Sequence, residues 1–175
     1  IFDSDSLKVK KNYPVEGKIS AIYELSKSDQ AVFTFRDRAK LGILNTKTLA
    51  LNYLDLDEAM EDFFIDPTEQ FLIGTYRHGK VLKVYDLKQK KVVFEHPLEG
   101  MPHLFSAAIW YNGGDFYFAT PHIGQPYLSV WKMYDWQMIK QVDLGGDGFF
   151  VRTHSDTPYL WADNGSDELV LIDKK

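Results

Sequence analysis

Cysteine is absent from the 175-residue sequence. Its absence excludes disulfides, thiolate metal sites, haem attached covalently through a C-x-x-C-H motif and cysteine nucleophiles. Long hydrophobic runs are also lacking, so no membrane span is predicted, and the N-terminus has no signal-peptide pattern. The net charge is −5, and Asp and Glu are interspersed among the basic residues, so nucleic acid is not an expected partner.

A helical pattern is missing as well. No segment keeps apolar residues at a 3.6-residue spacing for three turns, although 45% of the residues are apolar and 15% are aromatic. The apolar residues form short runs rich in aromatic and β-branched side chains, at residues 31–35, 71–75, 116–120 and 159–162. The sequence therefore predicts an all-β protein.

The chain also repeats itself. Residues 1–17 align with residues 84–100 without a gap, which places Pro14 on Pro97. If Asp86 marks one position of the repeat, the equivalent positions are Asp3, Asn45, Lys132 and Asp173. The spacings are 42, 41, 46 and 41 residues, and each period contains four apolar runs. Such a period predicts the four-stranded blades of a β-propeller.

The predicted blades cover approximately residues 18–56, 57–98, 99–144 and 145–175, and residues 1–17 form the end of a preceding blade. Two arrangements remain open. Residues 7–9 could supply the fourth strand of the last blade and close a four-bladed ring, or the chain could be a piece of a larger propeller. Open strand edges at Ile1 and Lys175 favour pairing with another chain, so self-association is a further expectation.

Ligands of propellers usually bind on the face formed by the loops that enter the inner strands and by the turns between second and third strands. The repeat places His103 in an entry loop, after Pro102, which stiffens the loop. A fixed imidazole there could donate a proton or ligate a metal, or could simply be hydrogen-bonded to backbone. His122 lies near the same face.

Two arginines, Arg36 and Arg77, occupy equivalent turns of neighbouring blades on this face. A guanidinium matches a carboxylate with two parallel hydrogen bonds, so an anionic ligand is one interpretation. The alternative is that both arginines are solvated or paired with nearby Asp37 and Glu69. The histidine spacings do not match a zinc motif, and no metal site is predicted.

Three segments resemble successive landmarks of the haem-d1 propeller family, which contains the haem-d1 nitrite reductases and the related proteins of haem-d1 assembly in denitrification. They are residues 100–103 (GMPH), residues 119–124 (ATPHIG) and residues 145–154 (GGDGFFVRTH) with residues 159–163 (YLWAD). The propeller of this family has eight blades, so the resemblance implies that this chain is about half of one. It also implies a periplasmic location.

The family binds haem d1, an isobacteriochlorin that carries several carboxylates, through a proximal histidine, and the reductases add two distal histidines. The resemblance places His103 on the second distal histidine and Glu61 on the first. The proximal ligand would lie upstream of Ile1. The reductase continuation Pro-Gly-Arg-Gly is replaced by residues 104–107 (LFSA), and the Met-Pro-His-Leu form is closer to the assembly proteins.

The resemblance therefore implies binding of haem d1 or a haem-d1 precursor, in assembly rather than in nitrite reduction. Arg36, Arg77 and His122 are the expected cofactor-binding partners of His103, and Glu61 could accept a proton in tetrapyrrole oxidation if burial raises its pKa. The alternatives are a fragment of a nitrite reductase catalytic domain and a ligand-free propeller that serves as an interaction scaffold. A tetrapyrrole needs an apolar cleft with a basic rim, whereas a scaffold needs an exposed patch.

Overall fold

The computed structural model describes residues 1–76 and 79–175, and almost all of its regular structure is β-strand. The strands of the first two sheets are β1 (Ile19–Leu25), β2 (Gln30–Phe35), β3 (Lys40–Asn45), β4 (Leu51–Asp55), β5 (Met60–Ile65), β6 (Phe71–Tyr76), β7 (Val81–Asp86) and β8 (Lys91–Pro97). The remaining strands are β9 (Met101–Pro102), β10 (Ala108–Asn112), β11 (Asp115–Ile123), β12 (Tyr127–Lys132), β13 (Gln137–Asp143), β14 (Val151–Thr153), β15 (Tyr159–Asp163) and β16 (Leu169–Asp173). A short 3-10 helix spans Leu104–Ser106.

The strands form four antiparallel sheets in which neighbours in sequence are neighbours in space. The strand orders are β1-β2-β3-β4, β5-β6-β7-β8, β10-β11-β12-β13 with β9 added to β11, and β14-β15-β16. Such up-and-down sheets are the blades of a β-propeller, so the predicted fold class is confirmed. Among the described residues, no helix is long and apolar enough to cross a membrane.

The ring closure considered from the sequence does not form in this structure. Val9 pairs with Phe2 in an isolated antiparallel bridge, and in the described part of the chain the fourth sheet consists of β14, β15 and β16. Residues 7–9 therefore turn back on the start of the chain and do not supply the outer strand of the fourth sheet.

The repeated marker position has a local physical cause. Asp3, Asn45, Asp86 and Asp173 each accept a hydrogen bond from a backbone N–H two or three residues further along the chain. A short acceptor side chain at this place closes the turn after a strand, because it satisfies N–H groups that the sheet cannot reach. Lys132 occupies the equivalent position in the third sheet and lacks such an acceptor.

Among the described residues, three apolar layers hold the four sheets together, one between each successive pair. Neighbouring residues of a strand enter opposite layers, because side chains alternate across a sheet. Phe63 and Leu72 enter the layer shared with the first sheet, whereas Phe64 and Ile73 enter the layer shared with the third sheet. Full burial of one such side chain stabilises the fold by about 1.5–3 kcal/mol.

We predict that Ile73→Ala lowers the free energy of unfolding by about 2–5 kcal/mol, because it leaves a cavity in the layer between the second and third sheets. Ile73 is 0% exposed. The matched control is Ile139→Ala on the outer strand β13, where the side chain is 52% exposed and the expected loss is below about 1 kcal/mol. Urea unfolding curves of the two variants provide the measurement, and equal losses would contradict this account of the core.

Candidate functional site

Irregular pairing of two inner strands creates the floor of the candidate site. The register of β1 against β2 shifts between Ile19 and Ile22, and that of β5 against β6 shifts between Met60 and Asp62. Such bulges let successive residues of a strand face the same side and are common beside functional sites. The successive residues that line the cavity from these strands are Ser20, Ala21, Glu61 and Asp62.

A cavity of about 350 Å³ lies above these bulges and receives residues from all four sheets or the loops that enter them. Its lining consists of Ser20, Ala21, Arg36, Glu61, Asp62, Met101, His103, Phe105, Ile123 and Phe149. Three of the residues selected from the sequence, Arg36, Glu61 and His103, therefore meet at one place. Ser20 fastens the first bulge to the second, because its hydroxyl donates a hydrogen bond to the backbone oxygen of Glu61.

His103 is held in one orientation. Its Nδ1 lies 2.7 Å from the backbone oxygen of Phe149, and a carbonyl oxygen only accepts, so Nδ1 carries a hydrogen and donates it. The imidazole ring packs against the Phe149 ring with centroids 4.0 Å apart. Nε2 is left as the nitrogen on the other side of the ring, 3.9 Å from Oδ2 of Asp62. In the neutral imidazole, Nε2 is therefore the proton acceptor of the site.

Asp62 is a buried carboxylate, only 6% exposed, beside this imidazole. Its Oδ1 accepts the backbone N–H of Phe105 at 2.7 Å. Burial raises the pKa of Asp62 from 3.8 to about 6, although a positive charge on His103 and the hydrogen bond from Phe105 work in the opposite direction. Burial of Asp62 therefore favours its protonated form.

Asp62 and Arg152 both act on a further ionisable group, Tyr23. Burial raises the pKa of Tyr23 to about 12, and the negative charge of Asp62 contributes to this increase while Arg152 opposes it. Tyr23 is therefore a neutral phenol at physiological pH. The guanidinium of Arg152 donates to the backbone oxygen of Ser106 at 2.7 Å, at the end of the short helix that follows His103.

Arg36 lies on the cavity wall, in the turn after β2. Its backbone N–H donates to the backbone oxygen of Lys18 at 2.8 Å, and its side chain also lines an adjoining cavity of about 560 Å³. Asp37, one of the carboxylates considered as its partner, accepts the backbone N–H of Lys18 at 2.8 Å. Arg77, the second predicted arginine, lies outside the described residues.

The whole chain, residues 1–175, matches the Cytochrome D1 heme domain family. The protein belongs to this family. The resemblance to the haem-d1 propellers is thereby confirmed.

One curated protein and one solved structure are similar to this chain over most of its length. The chain is 34% identical over 165 residues to the dihydro-haem d1 dehydrogenase of Pseudomonas aeruginosa strain PAO1. The alignment covers 90% of this chain and 34% of that protein. The solved structure of dihydro-haem d1 dehydrogenase NirN in complex with DHE superposes with a TM-score of 0.91 at 31% identity, over 99% of this chain and 40% of that chain. This cytochrome d1 haem domain thus spans less than half the length of either relative.

More distant structures share only the fold. Hydrazine synthase of Kuenenia stuttgartiensis has a TM-score of 0.70 at 13% identity, over 94% of this chain and 52% of that chain. The Cps50 (Swd1) β-propeller domain of Myceliophteria thermophila has a TM-score of 0.66 at 10% identity, over 87% of this chain and 52% of that chain. Both support the β-propeller fold of the cytochrome d1 haem domain.

The structure corrects the expectation that His122 faces the ligand. His122 is 0% exposed inside the third sheet. Its Nδ1 donates to the backbone oxygen of Glu99 at 2.9 Å, and its Nε2 accepts from the hydroxyl of Ser129 at 2.7 Å. The Ser129 oxygen in turn accepts from the indole N–H of Trp131. Burial lowers the pKa of His122, so the ring is neutral and both of its nitrogens serve the packing of the blade.

Asp62 and Phe149 are the site residues that sequence reasoning missed as partners of His103. Strict alternation along β5 would turn Glu61 and Asp62 to opposite faces, and only the bulge after Met60 brings both to the cavity. Phe149 acts through its backbone oxygen, which has no signature in side-chain patterns. Phe105 and Phe149 line the cavity. Phe63, which follows Asp62 in β5, is a core residue.

We predict that Asp62→Asn stabilises the domain above pH 7. The pKa of Asp62 is higher in the folded chain than the ordinary 3.8, so the folded state holds the proton more tightly, and stability falls as the pH rises from about 4 to about 6. Asparagine keeps the Oδ1 acceptor for Phe105 and removes the buried charge. The expected gain in the free energy of unfolding is on the order of 2 kcal/mol at pH 8 and close to zero at pH 4.

Urea unfolding at the two pH values measures this difference. The control is Asp156→Asn, whose side chain is 87% exposed, so that this substitution removes no buried charge. An equal change in stability at pH 4 and pH 8 for Asp62→Asn would show that burial does not disfavour the charged carboxylate.

Proposed function

We propose that this domain forms part of a pocket that binds haem d1 or a haem-d1 precursor, and that it acts in haem-d1 assembly and not in nitrite reduction. The observation that carries this proposal is the pairing of one imidazole, His103, with the buried carboxylate Asp62 on the wall of the cavity. The similarity to the dihydro-haem d1 dehydrogenase of Pseudomonas aeruginosa supports the same assignment.

The residues present fit a tetrapyrrole. Five apolar side chains line the cavity, namely Ala21, Met101, Phe105, Ile123 and Phe149. Phe105 and Phe149 are 59% and 41% exposed, so their rings are available to the flat face of a macrocycle. Arg36 on the cavity wall supplies a planar cation for a carboxylate of the ligand. An apolar cleft with a basic group distinguishes this site from the exposed patch that an interaction scaffold requires.

Proton transfer is the chemistry that the described residues support. Conversion of a dihydro-tetrapyrrole to the corresponding tetrapyrrole breaks two C–H bonds, forms one C=C bond and releases two protons and two electrons. His103 accepts one proton at Nε2, and Asp62 stabilises the resulting imidazolium from 3.9 Å. The second proton leaves to solvent, and the two electrons pass one at a time to two equivalents of an external one-electron acceptor such as a ferric haem. The bound macrocycle supplies the conjugated electron system that is oxidised.

The departure from the histidine of the reductases at Glu61 argues against nitrite reduction. The resemblance expects a second histidine there, and the imidazole that would change its charge near neutral pH in that role is missing at this position. Glu61 lines the cavity together with His103 and Arg36 and remains the acceptor predicted from the sequence. The geometry favours His103, because the Phe149 carbonyl anchors its Nδ1 and the buried carboxylate of Asp62 lies beside its Nε2.

The proposal also includes a larger assembly. The rest of an eight-bladed propeller would supply the proximal ligand and the other wall of the pocket. In the described chain, β16 pairs with β15 and presents its other edge, where Leu169 and Leu171 are exposed. A strand from the remaining blades or from another chain would pair with this edge. A periplasmic location is part of the proposal and rests on the family alone.

We predict that His103→Ala in the full-length protein weakens the binding of haem d1 and lowers oxidation of a dihydro-haem d1 substrate by about 10²–10⁴-fold, because the proton acceptor is removed. Optical titration measures the binding, and reduction of an artificial one-electron acceptor measures the turnover. The control is His154→Ala, an exposed histidine outside the cavity. Glu61→Gln tests the acceptor predicted from the sequence, and loss of turnover in that variant alone would assign the role to Glu61. Absence of any spectral shift in the unmodified protein would refute the cofactor assignment and leave the scaffold.

We further predict that Arg36→Ala weakens tetrapyrrole binding roughly 10–100-fold, because a charged hydrogen bond to a ligand carboxylate is lost. Arg38→Ala is the matched control from the same turn, since Arg38 donates to the backbone oxygen of Glu16 and does not line the cavity. Titration with the free acid and with an esterified tetrapyrrole separates charge from shape. Equal affinity of the Arg36→Ala variant and the unmodified protein would remove Arg36 from the ligand site.

A further inference from the structure

The glycine-rich loop of residues 145–148 lies against the turn of residues 163–165, and it leaves no room for a side chain at Gly146 or Gly148. A Cβ atom on Gly148 would lie 2.3 Å from the backbone oxygen of Asp163, and one on Gly165 would lie 2.4 Å from the backbone oxygen of Asp147. Gly165 also has a φ of +74°, which other residues rarely adopt. The two segments are therefore in backbone contact, and this contact sets where the chain enters β14.

Asp163 fixes the end of this loop. Its carboxylate accepts the backbone N–H of Phe149 at 3.0 Å and also that of Phe150. The backbone N–H of Asp163 in turn donates to the backbone oxygen of Phe150 at 3.2 Å. Because the N–H groups of both phenylalanines are bound by one side chain, the peptide group of Phe149 cannot rotate freely.

The carbonyl of Phe149 is the group that holds His103. It accepts from Nδ1 of His103 at 2.7 Å and from the hydroxyl of Ser106 at 3.1 Å. In a neutral imidazole, the hydrogen bond made by one ring nitrogen decides which of the two nitrogens carries the hydrogen. A carbonyl fixed at Nδ1 thus keeps Nε2 free of hydrogen on the side of Asp62.

We propose that Asp163, together with the glycine-rich loop, is a positioning element that acts through the Phe149 carbonyl to keep His103 in the tautomer whose Nε2 accepts the substrate proton. This inference rests on the proposed function for its chemical consequence, but the tautomer itself is a property of the unliganded chain. It also assigns a role to the GGDGFF segment, which the site geometry alone leaves unexplained.

The test uses the full-length protein labelled with ¹⁵N-histidine, observed by NMR at pH 8.5, where histidines are ordinarily neutral. The His103 signals are assigned by their loss in His103→Gln. In the unmodified protein, we expect the hydrogen on Nδ1. Asp163→Ala releases the Phe149 carbonyl, so the tautomer with hydrogen on Nε2 appears, and kcat for tetrapyrrole oxidation falls roughly 10–100-fold with KM little changed. Asp163→Asn keeps an acceptor oxygen for both N–H groups and restores the original tautomer and kcat.

Several outcomes would overturn the inference. A hydrogen on Nε2 of His103 in the unmodified protein refutes it, and this result does not depend on whether any variant folds. An unchanged tautomer in a folded Asp163→Ala variant refutes it as well. A shifted tautomer in a protein that binds no tetrapyrrole keeps the positioning role and refutes the proposed function, so the two failures can be told apart.

Discussion

The stacking of sheets is the constraint on which the rest of this structure depends. Each blade is a single sheet whose side chains alternate between two faces, and in the second sheet both faces are apolar. Such a sheet can be stable only when neighbours cover it on both sides. The three apolar layers satisfy this need. They also fix the relative positions of the loops at the cavity end of every blade. The cavity exists because four such ends are brought together.

Backbone groups hold the two ionisable side chains of the site, His103 and Asp62, in place. The Phe149 carbonyl holds His103 from the loop that enters the fourth sheet, and the backbone N–H of Phe105 holds Asp62 from the short helix. Both contacts cross from one repeat to the next. An imidazole and a carboxylate that are anchored by backbone groups keep their separation without depending on a preferred rotamer, and a preorganised pair loses little entropy when a ligand binds.

Much of the fold was predictable because its signals are local. The Asp or Asn that occupies four of the five marker positions closes a turn with its own side chain, and alternating apolar runs need only a neighbouring sheet. The entry-loop position of His103 followed from the same period. The partner of His103 did not follow, because Asp62 reaches the cavity only through a bulge, and a bulge leaves no mark in the alternation of β5. His122 was misplaced for a related reason: its sequence position is near the ligand face, but its ring points into the blade and bonds to Ser129.

In the described part of the chain, the buried residues of each apolar layer come from two sheets that are neighbours in sequence, and this has a consequence for how the chain acquires its structure. The contacts that complete one blade come from the repeat immediately before or after it, so assembly can begin at any layer and spread in both directions. Damage to one layer uncouples the two sheets that flank it and leaves the other layers closed. The molecule would then separate between those two sheets. The boundary between the second and third sheets is also the place where Asp62 and His103 meet.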